Sequence, residues 1–341
     1  MTERELIDRL KASFPARKAE VGIGDDAAIV RSTGRLVVTN DMLLEDVDFT
    51  ASIPARFIIR KSLAANLSDL AAMGARPQWF VLALALPSSF LASSEEIVEA
   101  LRQASEEHAI ELIGGDLSSA TKLVVSITAA GSIDEGSAPL LRSGARAGDR
   151  LYLSRPIGGA AAGLSLLESG WRIQSDGVVT PPSSTRTIGY ALREFASSAI
   201  RRQVDPQPEV KLGLALSASG LATSCIDVSD GLSTDLRHLC EASGCGAEVE
   251  RERIPVFQEL ATSALALGIN AAEAVLHGGE EFALLFTSSQ RESELSRLLG
   301  RPVYAIGRIT AERSIVLRSG DQVTPLPPGG YDHFAGKQPA R

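Results

Sequence analysis

Two rhythms of apolar positions alternate along the chain. Leu6, Ile7, Leu10 and Phe14 recur at helical spacing behind a Thr2/Glu5 capping box, so the chain is expected to open with a short helix. After Gly24-Asp25-Asp26, apolar runs at 27–30 and 36–39 flank Ser32-Thr33-Gly34, which predicts a hairpin. Ile59, Leu63, Leu67 and Leu70 then form one stripe of a long helix over 55–73, with Gly74 at its stop. A buried strand is expected at 79–86, and Ser94-Glu95-Glu96 opens a helix carrying Ile97, Leu101 and Ala104. Residues 110–113 lead into Gly114-Gly115-Asp116, and 123–130 read as a strand.

The stretch 131–150 is rich in Gly, Ser and charge, and the domain boundary is placed in it. Beyond it the alternation resumes: a strand at 151–153, a Gly/Ala-rich helix from Gly158, and loops around Pro181-Pro182 and 205–208. A strand at 224–228, a helix at 232–242 ending at Gly244, and strands at 282–287 and 303–306 follow. The expected fold is mixed α/β (α+β) in two domains, 1–148 and 149–334, with 335–341 a disordered tail.

Composition narrows the function. The longest apolar run, 79–86, is far below the ~20 residues of a membrane span, and the charged start MTERELIDRL lacks the apolar stretch of a secretory signal, so a cytoplasmic protein is expected. With 34 Lys and Arg against 42 Asp and Glu, the net charge of -8 argues against nucleic-acid binding. Any phosphate ligand must be met locally. Cys225, Cys240 and Cys245 form no disulfide framework and read as small buried hydrophobes. The four histidines have no zinc spacing, so a metal would have to sit on carboxylates.

The carboxylates are unusually placed. Gly24-Asp25-Asp26, Thr39-Asn40-Asp41, Asn66-Leu67-Ser68-Asp69, Gly114-Gly115-Asp116 and Asp227-Val228-Ser229-Asp230-Gly231 sit beside glycines, at strand ends or in an otherwise apolar helix. Two carboxylates ~4 Å apart repel by about 4 kcal/mol at an effective dielectric of 20, so a cluster of them calls for cations. Mg²⁺, an oxygen-seeking ion that retains water or phosphate ligands, is the natural one and points to phosphoryl chemistry. Singly, each motif is also compatible with an ordinary turn or a wet helix face. GxxxxGK[ST], a strand-to-helix GxGxxG and GxSxG are all absent, so an ATP user would need another phosphate-binding design.

In this order, GIGDDAA (22–28), NLSDLAAMGA (66–75), LIGGD (112–116), RSGA (142–145), IDVSDGLSTDL (226–236), HGGEE (277–281) and GYDHF (330–334) resemble the thiamine-monophosphate kinase family of the aminoimidazole ribonucleotide synthetase-like superfamily. The resemblance implies two α/β domains and a homodimer built through the N-terminal domains. It also implies Mg²⁺-dependent transfer of the ATP γ-phosphoryl group to thiamine monophosphate. Carried over by position, it makes Asp26, Thr39, Asn40, Asp41, Asp69, Asp116, Asp227 and Asp230 magnesium positions, holding several ions. Gly115, Asp116, Arg142 and Ser229 would hold ATP, and Asp48, Glu280 and Tyr331 fall at substrate positions. No catalytic nucleophile is implied.

The chain departs from the family pattern on the acceptor side. Asp48 stands where the family has histidine, the GGDTTRG pattern reads Gly114 to Ala120 as GGDLSSA, an Arg-Pro-x-x-Arg-like stretch reads Asp205-Pro206-Gln207-Pro208-Glu209, and GGEDYEL becomes GGEEFAL. Asn40 replaces the threonine of Ser-Thr-Asp and keeps an oxygen donor. The alternatives are a related superfamily kinase or ligase with another small acceptor, and a non-catalytic nucleotide-binding dimer.

Overall fold

The computed structural model describes residues 3–15, 17–21, 23, 28–30, 34–183 and 188–331. These form two compact units: the first takes in 1–139, 170–185 and 204–220, the second 140–169, 186–203 and 221–341. The division is therefore not a single cut near 148/149, because two later stretches pack with the first unit. Both returns begin at breaks that look like plain loops: Gly170 follows the end of a helix, and Asp205 to Pro208 is proline-rich.

The first unit runs α1 (Glu3–Ser13), β1 (Ala19–Val21), β2 (Ile29–Val30), β3 (Leu36–Leu44), α2 (Ala55–Ala72), β4 (Arg76–Leu86), α3 (Ser94–His108), β5 (Glu111–Ser119) and β6 (Val124–Ser132). The opening helix is present, while Thr2 of its capping box lies outside the described residues. A four-stranded sheet of order β3-β6-β4-β5 carries this unit, antiparallel but for the parallel β4–β5 pair. The predicted hairpin does not form: β2 pairs with β1, and β3 pairs with β6 along its whole length. A nine-residue ladder backed by α2 outweighs what a short turn offers a two-residue strand.

α2 packs on β3 and β6 and against α3, so one face of the sheet is core. Phe80, Leu82, Leu84, Val125, Ile127 and Ala129 are buried in it. The period of two turns the alternate residues outward, and there Leu36, Val38 and Met42 are 41%, 56% and 59% exposed. α2 ends at Met73 followed by Gly74 at φ +68°, as expected.

The second unit begins with β7 (Arg150–Leu153) and α4 (Gly159–Glu168). The hairpin β8 (Arg172–Ile173) with β9 (Val179–Thr180) returns to the first unit, as does α6 (Val210–Ser219) after α5 (Tyr190–Val204). The second unit continues with β10 (Ser224–Asp227), α7 (Leu232–Ser243), β11 (Gly246–Glu250), α8 (Leu260–Leu267), α9 (Ala271–Leu276), β12 (Leu284–Ser288), α10 (Glu292–Leu299), β13 (Tyr304–Thr310), β14 (Ile315–Ser319) and β15 (Gln322–Pro325). Its sheet has the order β10-β12-β7-β13-β11-β14-β15, parallel only between β11 and β14. Tyr152 stacks on Phe286 at 5.4 Å between ring centres in the core of this sheet. Among the described residues no helix is long and apolar enough to cross a membrane, and the three cysteines are buried and unpaired.

Candidate active site

In the first unit, strand alternation sorts the candidate residues by face. Thr39 and Asp41 point from β3 toward α2, where the Thr39 hydroxyl donates to Asp69 Oδ2. Asp69 stands on the α2 stripe that faces the sheet, three residues after buried Asn66. Asp41 Oδ2 is buried with no hydrogen-bond partner. Burial, and then the charge of Asp69, pushes the Asp41 carboxyl up to about 7. Two carboxylates and a hydroxyl held together against their own repulsion are a donor set suited to a hard cation.

Asn40, one residue along, lies on the other face, where its amide donates to Thr128 Oγ1 at 2.8 Å and to the Ile127 carbonyl at 3.0 Å. The register carries Asp116 there as well, since it sits opposite Ala83, itself opposite Ser126. Gly115 is opposite Leu82, where a Cβ would come within 2.0 Å of the Leu82 carbonyl oxygen, so only glycine lets β5 approach β4 this closely. Asp48 Oδ2 accepts the Leu44 amide at 2.8 Å and closes the turn that ends β3. Asp26 lies outside the described residues.

In the second unit, β10 delivers Asp227, buried, at its last position, and the loop to α7 carries Ser229 and Asp230. Gly231 makes this corner at φ +114°, and a Cβ would come within 2.6 Å of the His277 carbonyl oxygen. Asp235, in the first turn of α7, accepts the amides of Asp230 and Gly231 at 3.1 and 3.0 Å. Burial, then Asp227 and Asp230, raises its carboxyl to about 8. The last described residues run along the same loop. Gly329 and Gly330 donate to Ser233 Oγ at 3.3 Å and Thr234 Oγ1 at 3.1 Å, and the Tyr331 amide donates to the Asp230 carbonyl at 3.1 Å. Half-exposed Tyr331 is thereby set beside Asp230.

Exposed Arg142 belongs to a loop pinned from two sides. Its carbonyl accepts Ser243 Oγ at 3.0 Å, and the Leu141 carbonyl accepts the Cys225 amide at 2.7 Å. Glu280 donates its amide to the Ser229 carbonyl at 2.7 Å, and its Oε2 accepts Gln203 Nε2 at 2.5 Å. Glu280 and Phe282 both lie in the left-handed region, at φ +61° and +47°, a conformation costing on the order of 1–3 kcal/mol for each such residue. Between them Glu281 is fully buried, and burial raises its carboxyl above the usual range despite Arg202 nearby.

Among the described residues no three His, Cys, Asp or Glu side chains are gathered as a ready metal cage. The acidic groups fit Mg²⁺ in the way it is commonly held, by one or two carboxylates with the remaining positions left for water and phosphate. Asp235 and Gln203 are not among the sequence candidates, and Glu281 enters there only as a departure from the family pattern, with no role. Asp235 had a signal, an aspartate in the first turn of a helix that follows Asp-Gly.

The fold and these two acidic loci define a class. The model of the AIR synthase related protein N-terminal domain matches residues 24–133, and that of its C-terminal domain matches residues 146–320. Within that class, the chain belongs to the thiamine-monophosphate kinase family. It is 36% identical to the thiamine-monophosphate kinase of Escherichia coli O157:H7, over 96% of this chain and 95% of that protein. The crystal structure of thiamine-monophosphate kinase from Stenotrophomonas maltophilia K279a matches with a TM-score of 0.77 at 35% identity, over 93% of this chain and 96% of that one. AaThiL complexed with AMPPCP and TMP matches with a TM-score of 0.73 at 27% identity, covering 97% of each chain.

Proposed function

We infer that the chain transfers the γ-phosphoryl group of ATP to the phosphate of thiamine monophosphate, giving thiamine diphosphate and ADP. The observation that carries this is the identity to thiamine-monophosphate kinases over nearly the whole length of both partners. The neighbour bound to AMPPCP and TMP, at 27% identity, supports the pairing of substrates.

In this reading the transfer is direct. One acceptor phosphate oxygen forms the new P–O bond while the bond from the γ-phosphorus to the bridging oxygen breaks, and ADP leaves with that electron pair. The protein's task is then positioning and charge neutralisation, and no side chain need act as a nucleophile. Magnesium, when bound, supplies the neutralisation between phosphates that carboxylates cannot. Thr39, Asp41 and Asp69 would hold it on one face of the first sheet, and Asn40 and Asp116 on the other. Residues on opposite faces of a sheet cannot share one ion, which supports several. Asp227 and Asp230 are the corresponding positions of the second unit, and Asp26 completes the set carried by the resemblance.

Gly115, Asp116, Arg142 and Ser229 would serve ATP, Gly115 by letting backbone approach and Arg142 as a charged donor. Glu280 and Tyr331 would serve the acceptor, Tyr331 by stacking on a thiamine ring. The exposed apolar row Leu36, Val38, Met42 supports a homodimer through the first sheet. A cytoplasmic location follows from the use of ATP.

Thermal unfolding with Mg²⁺ and a non-hydrolysable ATP analogue, and then with added thiamine monophosphate, tests the proposal. Each ligand at 100 times its Kd adds ~2.7 kcal/mol of stability. Stepwise stabilisation by both is expected; stabilisation by the nucleotide alone would turn attention to another acceptor.

A further inference from the structure

Glu281 has no surface to present to a ligand, yet it is bonded as though its conformation mattered. Its Oε1 accepts the Gly158 and Ala160 amides, both at 2.8 Å, at the start of α4. On the backbone side, Arg155 Nη2 donates to the carbonyls of Glu281 and Phe282 at 2.9 and 2.6 Å. The Phe282 amide also donates to the Val228 carbonyl at 2.9 Å. The turn is tied through a side chain, two carbonyls and its flanking amides. It requires such ties, because both neighbours of Glu281 occupy a backbone region that side chains other than glycine rarely adopt.

The second oxygen, Oε2, makes no hydrogen bond and lies 3.9 Å from Arg202 Nε. An approach this long, with no hydrogen bond, adds little to stability, and the two amide bonds to Oε1 remain the contacts that set the conformation. What this conformation fixes is Glu280. The turn brings its carboxylate to Gln203 Nε2, and Gln203 is itself buried at the end of α5.

We propose that Glu281, with Gln203, is a positioning residue for the acceptor side of the reaction. It holds the strained turn on the N-terminus of α4 so that Glu280 is presented in one orientation. The inference rests on the reading of Glu280 as a thiamine-monophosphate contact.

Steady-state kinetics on the full-length protein tests this with Glu280→Gln, Gln203→Met, Glu281→Ala, Glu281→Asp and Glu281→Gln, each checked for folding by circular dichroism. Glu280→Gln, Gln203→Met and Glu281→Ala are expected to raise the KM for thiamine monophosphate at least tenfold and leave the KM for ATP within twofold. Glu281→Gln keeps an oxygen for Gly158 and Ala160 and is expected to stay within about threefold of wild type. If the alanine variant does not fold, Glu281→Asp replaces it, with the same selective rise expected because its carboxylate is one methylene short.

An unchanged KM for thiamine monophosphate in Glu280→Gln would overturn the assignment of Glu280, and this inference with it. A raised value in Glu280→Gln beside unchanged values in Gln203→Met and the folded Glu281 variant would overturn the inference alone. Equal rises for both substrates in the Glu281 variant would also overturn it, since they would mark general damage.

Discussion

Asp69 is the most sharply defined of the candidate ligands, because the buried face of α2 delivers it to the Thr39 hydroxyl and the buried edge of Asp41. Asp69→Asn should leave the fold intact, with phosphoryl transfer at millimolar Mg²⁺ reduced at least a hundredfold; turnover near wild type would remove Asp69 from the site. Asp48 leads to a different expectation. Its carboxylate is engaged by the Leu44 amide at 2.8 Å, so Asp48→Ala should cost about 1 kcal/mol in chemical denaturation and leave the KM for thiamine monophosphate within twofold. A tenfold rise in that KM would return Asp48 to the acceptor. The candidate residue types stand out in the sequence only as a set, since a single aspartate beside a glycine is ordinary turn chemistry and several such motifs in one chain are not. Their partners do not stand out: nothing near Asp48 in the chain announces the Leu44 amide, and Gln203 and Glu280 are 77 residues apart.

At the level of elements, long periodic segments were legible because one pattern dominates each. The stripe of Ile59, Leu63, Leu67 and Leu70 with Gly74 gives α2 nearly to the residue. The hairpin at 27–39 failed because the partner of β3 lies some 90 residues away in β6, and local turn chemistry carries no information about such pairings. The same alternation that separates Asn40 from Asp41 leaves Leu36, Val38 and Met42 on an uncovered face. If that face joins two copies, Val38→Glu with Met42→Glu should convert the dimer to a monomer in light scattering at tens of micromolar. A wild-type monomer under those conditions would exclude the dimer, and a double variant that remains dimeric would place the interface elsewhere.

Across the whole molecule, the division into two units was visible only as a Gly- and Ser-rich stretch. The returns at 170–185 and 204–220 carry only proline-marked stretches, Pro181-Pro182 and Asp205 to Pro208, which look like ordinary loops. Stability should carry a signature of Glu281. Its carboxyl is held above its ordinary value chiefly by burial, so from about pH 4.5 upward the folded chain keeps a proton that the unfolded chain has released. That contribution is fully present below the unfolded value and is lost as pH rises through the folded one. Glu281→Gln, which has no proton to lose, should therefore gain stability relative to wild type as pH is raised from 4.5 to 8 in urea titrations. A difference independent of pH would mean that the group is not held protonated by the fold.

Whether this chain catalyses the transfer is read without intermediaries by ³¹P NMR of the protein with Mg²⁺, ATP and thiamine monophosphate. The monophosphate resonance should disappear as a coupled pair from thiamine diphosphate grows, with one ADP formed for each and no transfer after chelation of Mg²⁺. Release of inorganic phosphate from ATP while the monophosphate resonance stays constant would contradict that transfer.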